Sequence, residues 1–148
     1  MSGLALKHDA WVVVMDGRKA IFLRNEGDEK YPNLRTFETH EQENPPTREQ
    51  GAGAPGRSSD ALGNRSAMEE TDLQQLGEER FGIEIMERLY NAAHKGKFDE
   101  LVLCAPPRLM GVIRKQMHKS VRDRLVAEID KDLTGHPVDE IEKIVLGR

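Results

Sequence analysis

Two short pairs, Arg57-Ser58 and Arg65-Ser66, carry the residue types that grip phosphate. A guanidinium is a planar fork of donors that matches two phosphate oxygens, and a neighbouring hydroxyl adds a further contact. The same stretch holds two glycine patterns. Gly51, Gly53 and Gly56 fit G-x-G-x-x-G, and Gly51-x-x-x-x-Gly56-Arg57-Ser58 fits a phosphate loop with arginine in place of lysine. Both need a strand before and a helix after, so that amides at the helix start face the phosphate. Here 44–50 is polar and broken by Pro45 and Pro46, and 59–67 has no apolar period. The glycines are therefore read as loop residues. An exposed polar loop needs no ligand, so the arginine–serine pairs stand as phosphate contacts or as plain surface.

A second basic feature lies later in the chain. Arg108, Arg114, Lys115, Lys119, Arg122 and Arg124 fall within 108–124, where Asp123 is the one acid. That spacing allows an RNA- or phosphate-facing patch, with a solvated face as the alternative.

Other chemistry finds less support. Two-metal nucleases need clustered carboxylates. The first apolar run has no acid in its centre, with Asp9 before it and Asp16 after it, and the run at 101–105 ends in Cys104-Ala105. His8, His40, His94, His118 and His136 show no paired spacing for a metal, and Ser58 is not in a G-x-S-x-G elbow. Cys104, the only cysteine, sits inside an apolar run and reads as a small core residue. No catalytic group, metal or cofactor is implied.

These residues must be positioned by a scaffold that the periodicity outlines. Trp11–Met15 and 20–24 are β-rich runs joined through Asp16-Gly17, a pair that tolerates the positive φ of a type I′ hairpin turn. A weaker strand at 34–38 makes a third, antiparallel edge strand. From 39 to 71 the regular signal vanishes. With few apolar side chains to offset ordering, the stretch from about 41 to 70 is expected to be a mobile loop. Thr71-x-x-Gln74 fits a capping box opening a helix. Phe81, Ile85, Leu89 and Ala93 give that helix an apolar row, Gly77 and Gly82 weaken it, and Lys95-Gly96-Lys97 ends it.

The run 101–105 reads as a buried strand stopped by Pro106-Pro107. Pro107 suits the first turn of a helix whose face is Leu109, Val112, Ile113 and Met117. Leu125, Ala127 and Ile129 alternate with polar neighbours, so 124–130 reads as a strand, with a helix as the alternative. Pro137 followed by Asp139 and Glu140 announces a last helix, with Ile141, Ile144 and Val145 as its buried face. The order βββ–loop–α–β–α–β–α implies an α/β fold. Its mixed five-stranded sheet has three antiparallel strands, then right-handed crossovers, with helices on the faces. That is the order of the ribonuclease H-like fold.

The chain of 148 residues fits one domain. A net charge of −4 argues against a generally basic nucleic-acid binder. No apolar stretch approaches the ~20 residues of a membrane span, the first ten residues do not form a secretory signal, and the lone cysteine fits a reducing compartment. A cytoplasmic, non-membrane protein is the expectation.

Four blocks then carry a resemblance: Pro55-Gly56-Arg57-Ser58, Arg65-Ser66-Ala67, the run from Leu101 to Arg108, and Asp130-Lys131-Asp132-Leu133-Thr134. Together they resemble the bacterial host-attachment family over nearly the whole chain. That family is in turn similar to the middle domain of class 1 archaeal and eukaryotic release factors and of Pelota. The resemblance implies a ribonuclease H-like fold and a loop that reaches the ribosome. In release factors the loop before the first helix bears a Gly-Gly-Gln motif. Here it reads Gly63-Asn64-Arg65-Ser66-Ala67, so hydrolysis of that type is not implied. The leading expectation is a binding domain that contacts the ribosome or RNA through 45–70. Arg57, Ser58, Arg65 and Ser66 would lead, with Arg108, Arg114, Lys115, Lys119 and Arg122 assisting. The alternatives are a host-attachment protein acting by protein–protein contact and a hydrolase with a loop site of another kind.

Overall fold

The computed structural model describes residues 4–42 and 63–147. Its strands are β1 (Trp11–Met15), β2 (Lys19–Asn25), β3 (Leu34–Glu41), β4 (Leu101–Cys104) and β5 (Leu125–Ile129). Its helices are α1 (Gly63–His94), α2 (Pro107–Gln116), the one-turn α3 (Lys119–Arg122) and α4 (Val138–Leu146). Within α1, side chains are described from Asp72 onward. The strands form one mixed sheet in the order β3-β2-β1-β4-β5. The first three run antiparallel, whereas β4 pairs parallel to β1 and β5 parallel to β4. This is the α/β architecture expected from the apolar runs.

Apolar side chains alternate between two faces, which is why β1 and β4 are buried at every position. Trp11, Val13, Met15, Phe22, Leu101 and Leu103 face α1 and α2, where they meet Phe81, Ile85, Leu89, Met110 and Ile113. Val12, Val14, Leu23, Val102 and Cys104 face α4, where they meet Ile141, Val145 and Leu146. Burial pushes the Cys104 thiol up to about 12, so it stays protonated and inert.

Four expectations need correction. The β1–β2 connection is a hairpin turn without positive φ, since Gly96 and Gly147 are the described glycines that adopt it. Instead the Asp16 carboxylate takes over the turn. Its Oδ1 accepts from the amides of Arg18 at 2.7 Å and Lys19 at 2.8 Å, an Asx arrangement that holds ordinary backbone. Glycine at position 17 makes room for α1: a Cβ there would lie 2.6 Å from Glu78 Cδ, so that side chain would have to shift.

The second correction concerns the start of α1. It begins at Gly63, so Thr71 lies inside the helix rather than at its start, and β3 runs on to Glu41. The irregular stretch expected over 39–71 is thus trimmed at both ends; the remainder of that expectation, 43–62, lies outside the described residues. Gly82, read as a weak point, is a contact point. A Cβ there would lie 3.0 Å from Ile113 and 3.2 Å from Leu109, so α1 and α2 approach closely at this position. Finally, α2 ends before Met117, which is buried as its C-terminal cap, and Met110 rather than Val112 completes the buried face.

Lys95-Gly96-Lys97 ends α1 as expected. Gly96 has φ +71°, and the amides of Gly96 and Lys97 return to the carbonyls of Ala93 and Ala92, each at 2.9 Å.

The β3 edge is fastened to α1 by charge. Arg88 donates to both oxygens of Glu38, at 2.7 and 2.6 Å, and lies over the rings of Trp11 and Phe22. Arg88, with His40 at 2.6 Å, lowers the Glu38 carboxyl to about 2. A depressed carboxyl contributes stability that is whole above its ordinary value near 4.5 and is lost as pH falls through about 2. Solvent reaches both side chains, so screening holds the contribution to about 1 kcal/mol. In chemical denaturation, Glu38→Gln should be less stable than wild type by that amount at pH 7. The gap should close between roughly pH 4 and 2.

Candidate nucleic-acid interface

The candidate site is the edge of the sheet where β1, β3, β4 and β5 end. α1 starts at this edge because the chain leaves β3 here and must return to the far edge to begin β4. Gln42, just after β3, ties the corner together. Its amide donates to Arg18 O at 2.7 Å and its Nε2 to Gly77 O at 3.2 Å. At 32 residues α1 is about 48 Å long. Its first buried side chain is Phe81, and those of 72–80 are exposed or half-buried. The helix therefore extends beyond the sheet edge, held there by Gln42 and by the close approach of Glu78 to Gly17.

Between these elements lies a cleft of about 490 Å³ lined by Asp16, Gly17 and Arg18, by Gln75, Glu78 and Glu79 of α1, and by Pro106, Arg108, Leu109 and Val112 at the start of α2. Asp16 is occupied by its turn. The Thr134 hydroxyl lies 3.2 Å from Asp16 Oδ2 and 2.6 Å from Asp132 Oδ1, and its single proton goes to the shorter contact. Arg18, Arg108, Glu78 and Glu79 make no side-chain hydrogen bond or ion pair among the described residues. Nor is any group of acids, histidines and cysteines among the described residues placed to hold a metal ion.

The expected site residues fall in different places. Arg57 and Ser58 lie outside the described residues. Arg65 and Ser66, expected in a loop, are on the first turn of α1, ten residues before Gln75 and so about 15 Å further along the helix axis. Arg108 lines the cleft.

The rest of the basic segment is not among the residues lining the cleft and is largely engaged. Arg114 pairs with Glu128 at 2.6 Å and reaches Asp130 at 3.9 Å. Lys119 pairs with Asp123 at 3.0 Å. Arg122 donates to the carbonyls of Arg114 and Met117, satisfying the end of α2, and Arg124 donates to Phe98 O and Ser120 O. Lys115 makes no such contact among the described residues. Arg114 and Arg122 instead line a smaller groove of about 220 Å³ with Met117, Leu125 and Glu128.

Arg18, Gln75, Glu78 and Glu79 were not singled out in the sequence. Arg18 had one signal. It follows the central strand at the point where the chain turns to one side for β2 while β4 lies on the other, and open α/β sheets place ligand contacts there.

Bacterial archaeo-eukaryotic release factor family 12 matches residues 9–145 of this chain. The chain belongs to that family. A relative described as "Uncharacterized protein RP470", from Rickettsia prowazekii (strain Madrid E), is 30% identical over 74 residues. That alignment spans 50% of this chain and 49% of the relative, about half of each. Neither description mentions host attachment. Among the described residues no helix is long and apolar enough to cross a membrane.

Proposed function

We propose that this release-factor-related domain works in the cytoplasm by contacting RNA of the ribosome through residues 45–70, without Gly-Gly-Gln-type hydrolysis. The observation that carries the reading is the shared edge. β3, which Gln42 follows, and α1, which Gly63 begins, meet where the long helix leaves the sheet, through Gln42 and Gly77. Family membership supplies the class of partner. Arg57, Ser58, Arg65 and Ser66 are the phosphate contacts in this reading, with Arg108 and Lys115 the cations of the basic segment best able to assist. Arg114, Lys119 and Arg122 would have to exchange an internal partner for phosphate. The motif Gly-Gly-Gln does not occur in 45–70, so binding rather than ester cleavage is the expected activity.

The test is co-sedimentation of the purified chain with ribosomes at about 50 and 200 mM salt, because phosphate contacts weaken steeply across that range. Binding at the lower salt that is largely lost at the higher is the expected result. Binding indifferent to salt would point to an apolar protein contact, and its absence at both would end the proposal.

A further inference from the structure

We propose that the cleft between the β1–β2 turn, α1 and the start of α2 binds one ribonucleoside monophosphate, free or as the end of an RNA strand. Its location is the first argument. The chain leaves β1 towards β2 on one side, while β4 and β5 extend the sheet on the other. The crevice beyond the carboxyl ends of β1 and β4 is therefore the topological switch point, where open α/β sheets bind ligands. Its volume of about 490 Å³ falls in the ordinary range for small-molecule sites.

The lining then selects the ligand. Arg18 and Arg108 come from two different elements, and neither has an ion-pair partner among the described residues. Two guanidiniums lining one cleft suit a dianionic phosphate, the third lining carboxylate, Asp16, being engaged by the amides of its own turn, and the start of α2 beside Arg108 adds the positive end of a helix dipole. Glu78 and Glu79 line the cleft from α1. Carboxylates repel phosphate but accept from hydroxyls, so the acids suit the ribose hydroxyls while the arginines suit the phosphate. Pro106, Leu109 and Val112 supply apolar surface for the flat face of a base. Inorganic phosphate would leave the acids and the apolar surface unfilled, and a nucleoside would leave both arginines unmatched. Arg18, Glu78 and Glu79 have no part in the proposed ribosome contact, so variants at these positions test the cleft apart from it.

The experiment is a titration of the full chain, followed by amide NMR shifts, with AMP, 2′-deoxy-AMP, adenosine, inorganic phosphate and a 5′-phosphorylated RNA tetranucleotide. AMP should bind with shifts at 16–18, 75–79 and 106–112, and adenosine and phosphate about tenfold or more weaker. Arg18→Ala and Arg108→Ala should each weaken AMP about tenfold while leaving adenosine unchanged, as expected for a charge-assisted contact. Glu79→Gln and Glu78→Gln together should narrow the preference for AMP over 2′-deoxy-AMP. Both arginines are exposed, so their variants should melt like wild type. Tighter binding of the tetranucleotide than of AMP identifies a strand end as the ligand, and the reverse identifies the free nucleotide. Phosphate binding as tightly as AMP, or arginine variants that keep full AMP affinity, would overturn the proposal. Loss of AMP binding in Arg18→Ala with ribosome sedimentation intact would separate this site from the other.

Discussion

Replacing Trp11 by alanine should destabilise the domain by about 3–5 kcal/mol, the largest single-residue effect expected outside the backbone. Trp11 is 2% exposed at the start of the central strand, paired to Leu101 on one side and Arg24 on the other. Its indole stacks on Phe98 at 4.7 Å, tilts against Phe37 at 4.8 Å and meets the edge of Phe22 at 5.9 Å. Each such pair contributes about 0.5–1.5 kcal/mol beyond its buried area, and all are lost together with the ring. Arg88, which lies over the same ring, would lose the surface it covers while keeping Glu38. Trp11→Phe preserves most of this packing and should cost about 1–2 kcal/mol. Trp11 is the only tryptophan, so unfolding must be followed by circular dichroism rather than fluorescence. An alanine variant within 1 kcal/mol of wild type would mean that the aromatic cluster does not organise this face.

Much of this core could be read from the sequence because burial on both faces of a central strand leaves an unmixed apolar run. Trp11–Met15 and 101–105 have that character, and they became the two central, parallel-paired strands. The misreadings came where a local signal had more than one use. Asp16-Gly17 suits a positive-φ turn, but the Asp16 carboxylate can also bind amides two and three residues on, and that geometry prevailed. Thr71-x-x-Gln74 has the spacing of a capping box. A helix that already starts at Gly63 absorbs such a sequence at small cost, because neither residue is a strong helix breaker.

The site was less legible for a different reason. The one-acid count over 108–124 described neighbours in sequence, whereas Glu128 and Asp130 approach Arg114 only once β5 pairs with β4. The cleft, likewise, takes Arg18 from one turn, Glu78 and Glu79 from a helix some sixty residues later, and Arg108 from the helix after that. Periodicity reports which face of an element is apolar. It does not report which polar residues from distant elements share an edge. That information resides in strand order, and the order became usable once β1 was placed between β2 and β4.

On the proposed ribosome contact, changing both Arg57 and Arg65 to alanine should weaken RNA or ribosome binding by about 100-fold or more. Two charge-assisted contacts of about 1.5 kcal/mol each would be removed, and about 1.4 kcal/mol corresponds to a factor of ten. The salt dependence should change as well as the affinity. Each lost phosphate contact reduces the slope of log affinity against log salt by about one, so the double variant should be flatter by about two. Stability should be nearly unchanged, because alanine is the better helix former at position 65 in the first turn of α1. Leu103→Ala supplies the contrast. Leu103 is fully buried between the sheet and its helices, and the cavity should cost about 2–5 kcal/mol, lowering the amount of active protein without altering the slope. The measurement is a titration of wild type and both variants at several salt concentrations, with the folded fraction determined separately. If the double arginine variant keeps both affinity and slope, phosphate recognition does not reside in the 45–70 segment.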